Sequence, residues 1–181
     1  MTATPPAHGA AGESAIIVPV ELPVAARRLR DGLDPVAALG VPAHVTLLYP
    51  FMPPGLLDDE VRRRVAAIVA TERSFSFALA RMERWPSVVW LAPEPDEPFR
   101  RLTAALHAEF PDYPPYAGVH EEVIPHLTIV EDPRPEWLAA AERALPQMLP
   151  IRDVAREAHV IAQDGDRPWS TLWRLPLGRR G

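Results

Sequence analysis

Val41-Pro-Ala-His44-Val-Thr46-Leu-Leu48 and Val123-Ile-Pro-His126-Leu-Thr128-Ile-Val130 spell one pattern twice within a single chain. Both segments are apolar, rich in β-branched residues and bounded by proline, which reads as a strand. Strand side chains alternate between faces, so His44 and Thr46 project together, as do His126 and Thr128. Val45 and Leu47, like Leu127 and Ile129, turn the other way into a core. A polar pair in the middle of an apolar strand needs partners or a solvent-filled cleft.

The surroundings of the two motifs match as well. Upstream of the first lie an apolar strand at Ala15–Val20 and a helical stretch from Pro23 to Leu39, weakened by Gly32 and Pro35. Downstream, Leu57–Thr71 has acids in its first turn and apolar residues at helical spacing, and Phe75–Arg84 alternates as a strand. The order then runs again: strand Val88–Ala92, helix Pro98–Phe110, strand Ile124–Val130, helix Pro135–Leu149, and one strand from Ile151 to Ala162. Ser170–Leu177 closes a hairpin on that last strand around Asp164-Gly165-Asp166. A period of roughly 70–80 residues is too long for a solenoid and suits a duplicated α+β lobe. The repeat units are about 15–84 and 88–162. Residues 1–14, small and polar, read as a disordered tail, and 15–181 as a single bilobal domain. A pseudo-two-fold axis between the lobes would bring the two histidine strands to face each other across a groove.

Composition narrows the function. The 181 residues carry a formal net charge of -5, which argues against coating long double-stranded nucleic acid. All 19 basic residues are arginine, so Schiff-base lysine and P-loop chemistry are excluded. The absence of cysteine removes disulfides, thiol nucleophiles and zinc-thiolate sites. No uninterrupted apolar run approaches 18 residues and no secretory signal is apparent, so a cytoplasmic protein without a membrane segment is expected.

Two imidazoles and two hydroxyls around a common point meet the needs of phosphodiester cleavage without a metal. One neutral histidine takes a proton from the attacking hydroxyl, and the other, protonated, supplies one to the leaving oxygen. The threonine hydroxyls can donate to the charged oxygens of the transition state. The chain here resembles the 2H phosphoesterases, especially the 2′-5′ RNA ligase and cyclic phosphodiesterase branch. The resemblance is carried by His44-Val-Thr46-Leu-Leu-Tyr49-Pro50-Phe51 and Pro125-His126-Leu-Thr128-Ile-Val130. Trp85-Pro86-Ser-Val-Val-Trp90-Leu91 and Pro114-Pro115-Tyr116-Ala-Gly118 support it.

The resemblance implies two pseudo-symmetric lobes, each an antiparallel-rich sheet with helices on its outer face, and an active-site cleft between them. It implies His44, Thr46, His126 and Thr128 as catalytic residues. It also implies hydrolysis at 2′,3′-cyclic or 2′-5′ phosphodiesters of nucleotides or RNA ends, with reversible 2′-5′ ligation as a related activity. The alternative is a non-catalytic nucleotide- or RNA-binding module on the same fold. No metal or other cofactor is called for, and a monomer is expected.

Other residues have two readings each. Tyr113 and Tyr116 could stack on a base or pack their own loop. Trp85 and Trp90 could be base platforms or packing. Arg84, or Arg81 beside it, could hold the substrate phosphate. His120 with Glu121 and Glu122 lacks clear ligand spacing for a metal. His107 and His159 read as surface or structural.

Overall fold

The computed structural model describes residues 12–120, 122–132 and 134–178. Its order is β1 (Glu13–Pro19), α1 (Val24–Leu33), α2 (Pro35–Ala38), β2 (His44–Leu48), α3 (Asp59–Val69), β3 (Phe75–Trp85), β4 (Val88–Glu94), α4 (Glu97–Glu109), β5 (Leu127–Glu131), α5 (Pro135–Ala144), β6 (Ile151–Ala155), β7 (Glu157–Gln163) and β8 (Ser170–Pro176). The expected helix from Pro23 to Leu39 splits at Asp34, because Pro35 lacks the N–H that would continue α1 and instead opens α2. Helix α3 starts where its acids predict, with the Asp58 carboxylate accepting from the Val61 N–H at 2.9 Å. Among the described residues, no helix is long and apolar enough to cross a membrane.

The strands form two antiparallel four-stranded sheets, ordered β2-β1-β7-β8 and β5-β4-β3-β6. The two orders superimpose strand for strand, β2 on β5 and β1 on β4, which is the two-lobed α+β architecture expected. The sheets do not follow the sequence repeats, however. Strand β3, at the end of the first repeat, joins the second sheet beside β4. The single strand expected from Ile151 to Ala162 breaks at Arg156. Its first half, β6, pairs with β3, and its second half, β7, crosses to β1. Alternation reports which face a side chain takes but not which neighbour its strand chooses.

One face of each sheet packs on helices in a continuous core. Val45, Leu47 and Leu48 of β2 and Leu127, Ile129 and Val130 of β5 share it with Leu102 and Leu106 of α4 and Leu138 of α5. Phe99 sits edge-on to Phe75 and Phe77 at 5.0 and 5.2 Å. The other faces carry smaller clusters, Ala15, Ile17, Val41 and Ile161 on the first sheet and Val88, Trp90 and Ala92 on the second.

The tail reading needs correcting at its end. Residues 1–11, His8 among them, lie outside the described residues, but Glu13 and Ser14 belong to β1. Ser14 is fully buried and its hydroxyl donates to the Met52 carbonyl at 2.6 Å. That bond removes the cost that would have kept a polar residue out of the core. Before the first motif, Gly40 has φ +88°, and a Cβ there would lie 2.9 Å from the Trp169 carbonyl oxygen. Only glycine fits a left-handed turn under so close a backbone.

Candidate active site

The edge strands of the two sheets, β2 and β5, lie beside one another and bring both motifs into one cleft. Each histidine is half-buried and is held the same way. Nδ1–H of His44 donates to the Pro42 carbonyl and Nδ1–H of His126 to the Ile124 carbonyl, both at 2.7 Å. A carbonyl oxygen only accepts, so each Nδ1 carries the hydrogen and each neutral ring keeps its lone pair on Nε2.

Both strands also slip register at the same place in the motif. Ile16 faces Leu48 while Ile17 faces Thr46, and Val89 faces Val130 while Trp90 faces Thr128. Such a bulge inserts one residue and reverses the alternation beyond it. Leu47 and Leu48 therefore both enter the core, as do Ile129 and Val130. The residue after each pair returns to the cleft face. Tyr49 packs against the Ala15–Ile17 cluster, and Glu131 stands opposite Val88.

The two halves of the site differ beyond the histidines. On the first, Thr46 Oγ1 lies 3.1 Å from Nε2 of His44. Because that nitrogen holds a lone pair, the hydroxyl donates. His126 has no comparable bond to Thr128 among the described residues, and aromatic rings enclose it instead. Trp85 and Trp90 approach it at centroid distances of 4.8 and 5.7 Å, and Tyr116 stacks over it at 6.3 Å with planes 23° apart. The Tyr116 N–H donates to the Tyr49 carbonyl.

Tyr116 thus touches both motifs, and it does so from a strained backbone. Tyr116 and Ala117 have φ of 51° and 53°, followed by Gly118 at 71°. A non-glycine residue costs about 1–2 kcal/mol in that region.

Burial dominates the electrostatics. It lowers the pKa of His44 to about 4, and the nearby positive charges of Arg30 and His126 push the same way against the Pro42 carbonyl bond. Burial also lowers His126, with His120 adding to it. The Tyr116 phenol is raised to about 12 by burial, and the Tyr49 phenol is raised by burial and by the Glu13 carboxylate that accepts its hydrogen at 2.9 Å. Glu131 keeps one side open to solvent, yet it sits deep enough for lost hydration, with Asp34, to raise its carboxyl. Beneath His44 a buried ion pair joins Arg30 and Asp34 at 2.9 Å, and Arg30 also donates to the Val41 carbonyl at 3.0 Å. Among the described residues no cluster of three or more His, Asp or Glu side chains is arranged to hold a metal ion.

Residues 18–167 match the family model of the 2′-5′ RNA ligase superfamily. The chain belongs to that superfamily. No curated protein sequence matches it. Among solved structures it is similar to E. coli LigT complexed with 3′-AMP, at 17% identity and TM-score 0.54, covering 93% of this chain and 99% of that one. It is also similar to E. coli LigT complexed with NADP+, at 18% identity and TM-score 0.56, covering 92% and 98%. TT0787 of Thermus thermophilus gives 18% identity and TM-score 0.54, covering 93% and 100%. At such identities the likeness to these structures is one of fold.

Superfamily membership supports an enzyme of phosphoester chemistry. Tyr113 does not face the cleft. Its ring, partly buried, packs edge-on against Phe51 at 5.6 Å, on the outside of the core. Arg84 is opposite Val89, whose side chain is in the core, so its guanidinium leaves on the helix-covered side and pairs with Glu142 of α5 at 2.6 Å. Arg81 does lie on the cleft face of the second sheet, beside Ala92, but Glu94 and Glu83 already hold it. His159 is on the cleft face of the first sheet, beyond Ile17 from Thr46, and is bonded to Glu157 at 2.6 Å.

Strict alternation missed Tyr49 and Glu131 as neighbours of the paired motifs. The clue was two successive apolar residues after each threonine, which alternation alone does not allow. Arg30 gave no signal, since a helical arginine normally faces water.

Proposed function

We propose that this chain is a metal-independent phosphodiesterase acting on 2′,3′-cyclic phosphates or 2′-5′ phosphodiesters of nucleotides or RNA ends. The observation that supports it most is the matched tethering of the two imidazoles. With both Nδ1 atoms bound to backbone, both Nε2 atoms are the working nitrogens of one cleft. On a cyclic phosphate, water gives a proton to the neutral Nε2 as its oxygen bonds to phosphorus. The bond from phosphorus to one ribose oxygen breaks, and that oxygen takes the proton from the second, protonated imidazole. Solvent exchange then restores both rings. In this reading the Thr46 and Thr128 hydroxyls donate to the non-bridging oxygens as charge builds there. Joining RNA ends through a 2′-5′ bond is the reverse chemistry, with a ribose hydroxyl in place of water. E. coli LigT has been crystallised with 3′-AMP and with ATP, which is in keeping with a nucleotide substrate here.

The test is a panel of 2′,3′-cyclic nucleotides, 2′-5′ dinucleotides and short RNAs with cyclic ends, assayed after treatment with a chelator. Turnover that survives the chelator is expected, and turnover abolished by it and restored by a divalent ion would overturn the proposal. The pH profile of kcat/KM, which reports the free enzyme, should be bell-shaped. Both histidines titrate below the ordinary imidazole value of about 6.5. A mechanism needing one of them neutral and one protonated has its maximum midway between the two pKa values, so the optimum is expected on the acid side of about pH 6.5. A rate that stays flat from about pH 5 to 9 would count against acid–base work by this pair.

A further inference from the structure

The cleft face of the second sheet continues well past the histidines, and register decides which side chains stand on it. Thr128 of β5 is opposite Trp90 of β4, and Trp90 is opposite Glu83 of β3. Further along, Ala92 is opposite Arg81. Beyond the β3 bulge, Glu94 is opposite Ala78, which is opposite Arg152 of the edge strand β6. Ser76 and Val154 are the next pair on that face. There Ser76, Ala78, Glu94, Arg152, Val154 and Arg156 line a groove of about 450 Å³. Along β4, Trp90 to Glu94 spans about 13 Å, and Arg152 lies about 10 Å to the side, so roughly 16 Å separate Trp90 from the groove. Trp90 in turn lies against His126.

The acids of the groove are already engaged. Glu94 accepts from Nε of Arg81 at 2.7 Å. Asp153, at the groove's border, accepts from the Glu21 and Val154 N–H groups at 2.8 and 2.7 Å. Among the described residues neither the Arg152 nor the Arg156 guanidinium has a carboxylate partner, and both side chains are exposed. Arg156 reaches back to donate to the Val154 carbonyl at 3.2 Å. Two free guanidinium forks are left, the shape that holds phosphate oxygens. The surface between groove and cleft differs. There Arg81 is shared by Glu83 and Glu94, two carboxylates on one cation, which offers a phosphate no site.

We propose that this groove is a distal phosphate subsite, in which Arg152 and Arg156 hold the backbone of an RNA strand whose 3′ end lies at the two histidines. This rests on the phosphodiesterase reading of the cleft and adds the substrate class to it, an RNA strand in preference to a free nucleotide. A stacked strand advances about 3.4 Å per nucleotide, so it reaches the groove about five nucleotides from its end, and sooner if it is extended. With no phosphate site in between, affinity rises in a step once the strand spans the gap, not smoothly with each added phosphate.

The experiment titrates RNAs of about one to eight nucleotides, each ending in a 3′-phosphate, into the full chain by calorimetry. The same series goes into the double variant Arg152→Ala with Arg156→Ala, and into Arg152→Glu alone. In the parent, affinity should rise about tenfold between roughly three and six nucleotides, the worth of two exposed ion pairs. The longer strands should also lose affinity more steeply as salt is added. The double variant should lose both the step and the added salt dependence while binding the mononucleotide within about twofold of the parent. Arg152→Glu should lose the step as well, so the question remains answerable if the double variant does not fold. A smooth or flat dependence on length in the parent, a step that survives in the variants, or an acidic peptide of equal charge that binds as tightly as the longer RNAs would overturn the inference. Because binding needs no turnover, the two readings fail separately. A step without turnover of any phosphodiester sinks the proposed function alone, and turnover of cyclic mononucleotides without a step sinks the groove alone.

Discussion

His44→Ala and His126→Ala are each expected to lower kcat on a 2′,3′-cyclic nucleotide by about 10²–10⁴-fold, the usual contribution of a positioned general acid or base. Stability should change little. Both rings stand at the cleft surface, outside the clusters that form the core. The carbonyls they release belong to Pro42 and Ile124, exposed residues whose oxygens water can reach. The double variant should be scarcely worse than either single one, because the two rings act as a unit on one phosphorus. Steady-state kinetics with circular dichroism on each variant read both quantities. If either variant turns over at the parent rate, that histidine is not part of the chemistry.

Asp34→Ala should cost the fold about 3–5 kcal/mol, the usual penalty for stranding one member of a buried ion pair. Arg30 and Asp34 are each only 3% exposed. With the carboxylate gone, the guanidinium keeps the Val41 carbonyl as its acceptor, while its Nε already lacks a partner. Part of the loss is the bond from the Val36 N–H to Asp34 at the start of α2. Replacing both members, as Arg30→Met with Asp34→Leu, removes the stranded charge and should recover most of the stability. Urea denaturation of the two variants separates these outcomes, and equal losses in both would show that packing, not charge, sets the cost. The pair also bears on the site. Arg30 fastens Val41, the residue before the carbonyl that tethers His44, so an Asp34 variant that still folds should lose activity as well.

Much of this was legible in the sequence. Two His-x-Thr strands with apolar flanks, and acid-led helices after turns, announced a duplicated α+β lobe, because periodicity is a local property that tertiary contacts seldom erase. Three things were not legible. The exchange of β3 and β7 between sheets depends on strand partners, which leave no trace in alternation. The paired bulges that turn Tyr49 and Glu131 into the cleft look like ordinary runs of two apolar residues. Ser14 is polar in a stretch that reads as tail, and only the Met52 carbonyl, distant in sequence, explains its burial. The reading of Tyr113 as a substrate contact came from its place on the loop just before the second motif, and that of Arg84 from its place on the β3–β4 hairpin, whereas the fold packs Tyr113 against Phe51 and pairs Arg84 with Glu142.

The strand order also governs when the cleft can exist. The sheet bearing His126 is one unbroken stretch, Phe75 to Ala155, whereas the sheet bearing His44 is stitched from β1 and β2 at one end and β7 and β8 at the other. A chain emerging from the ribosome can finish the former while the latter still waits for Ser170–Pro176. Until that last hairpin docks, His44 rides on a two-stranded ribbon of β1 and β2 alone. A half-made copy therefore holds one imidazole in place and lacks the second blade.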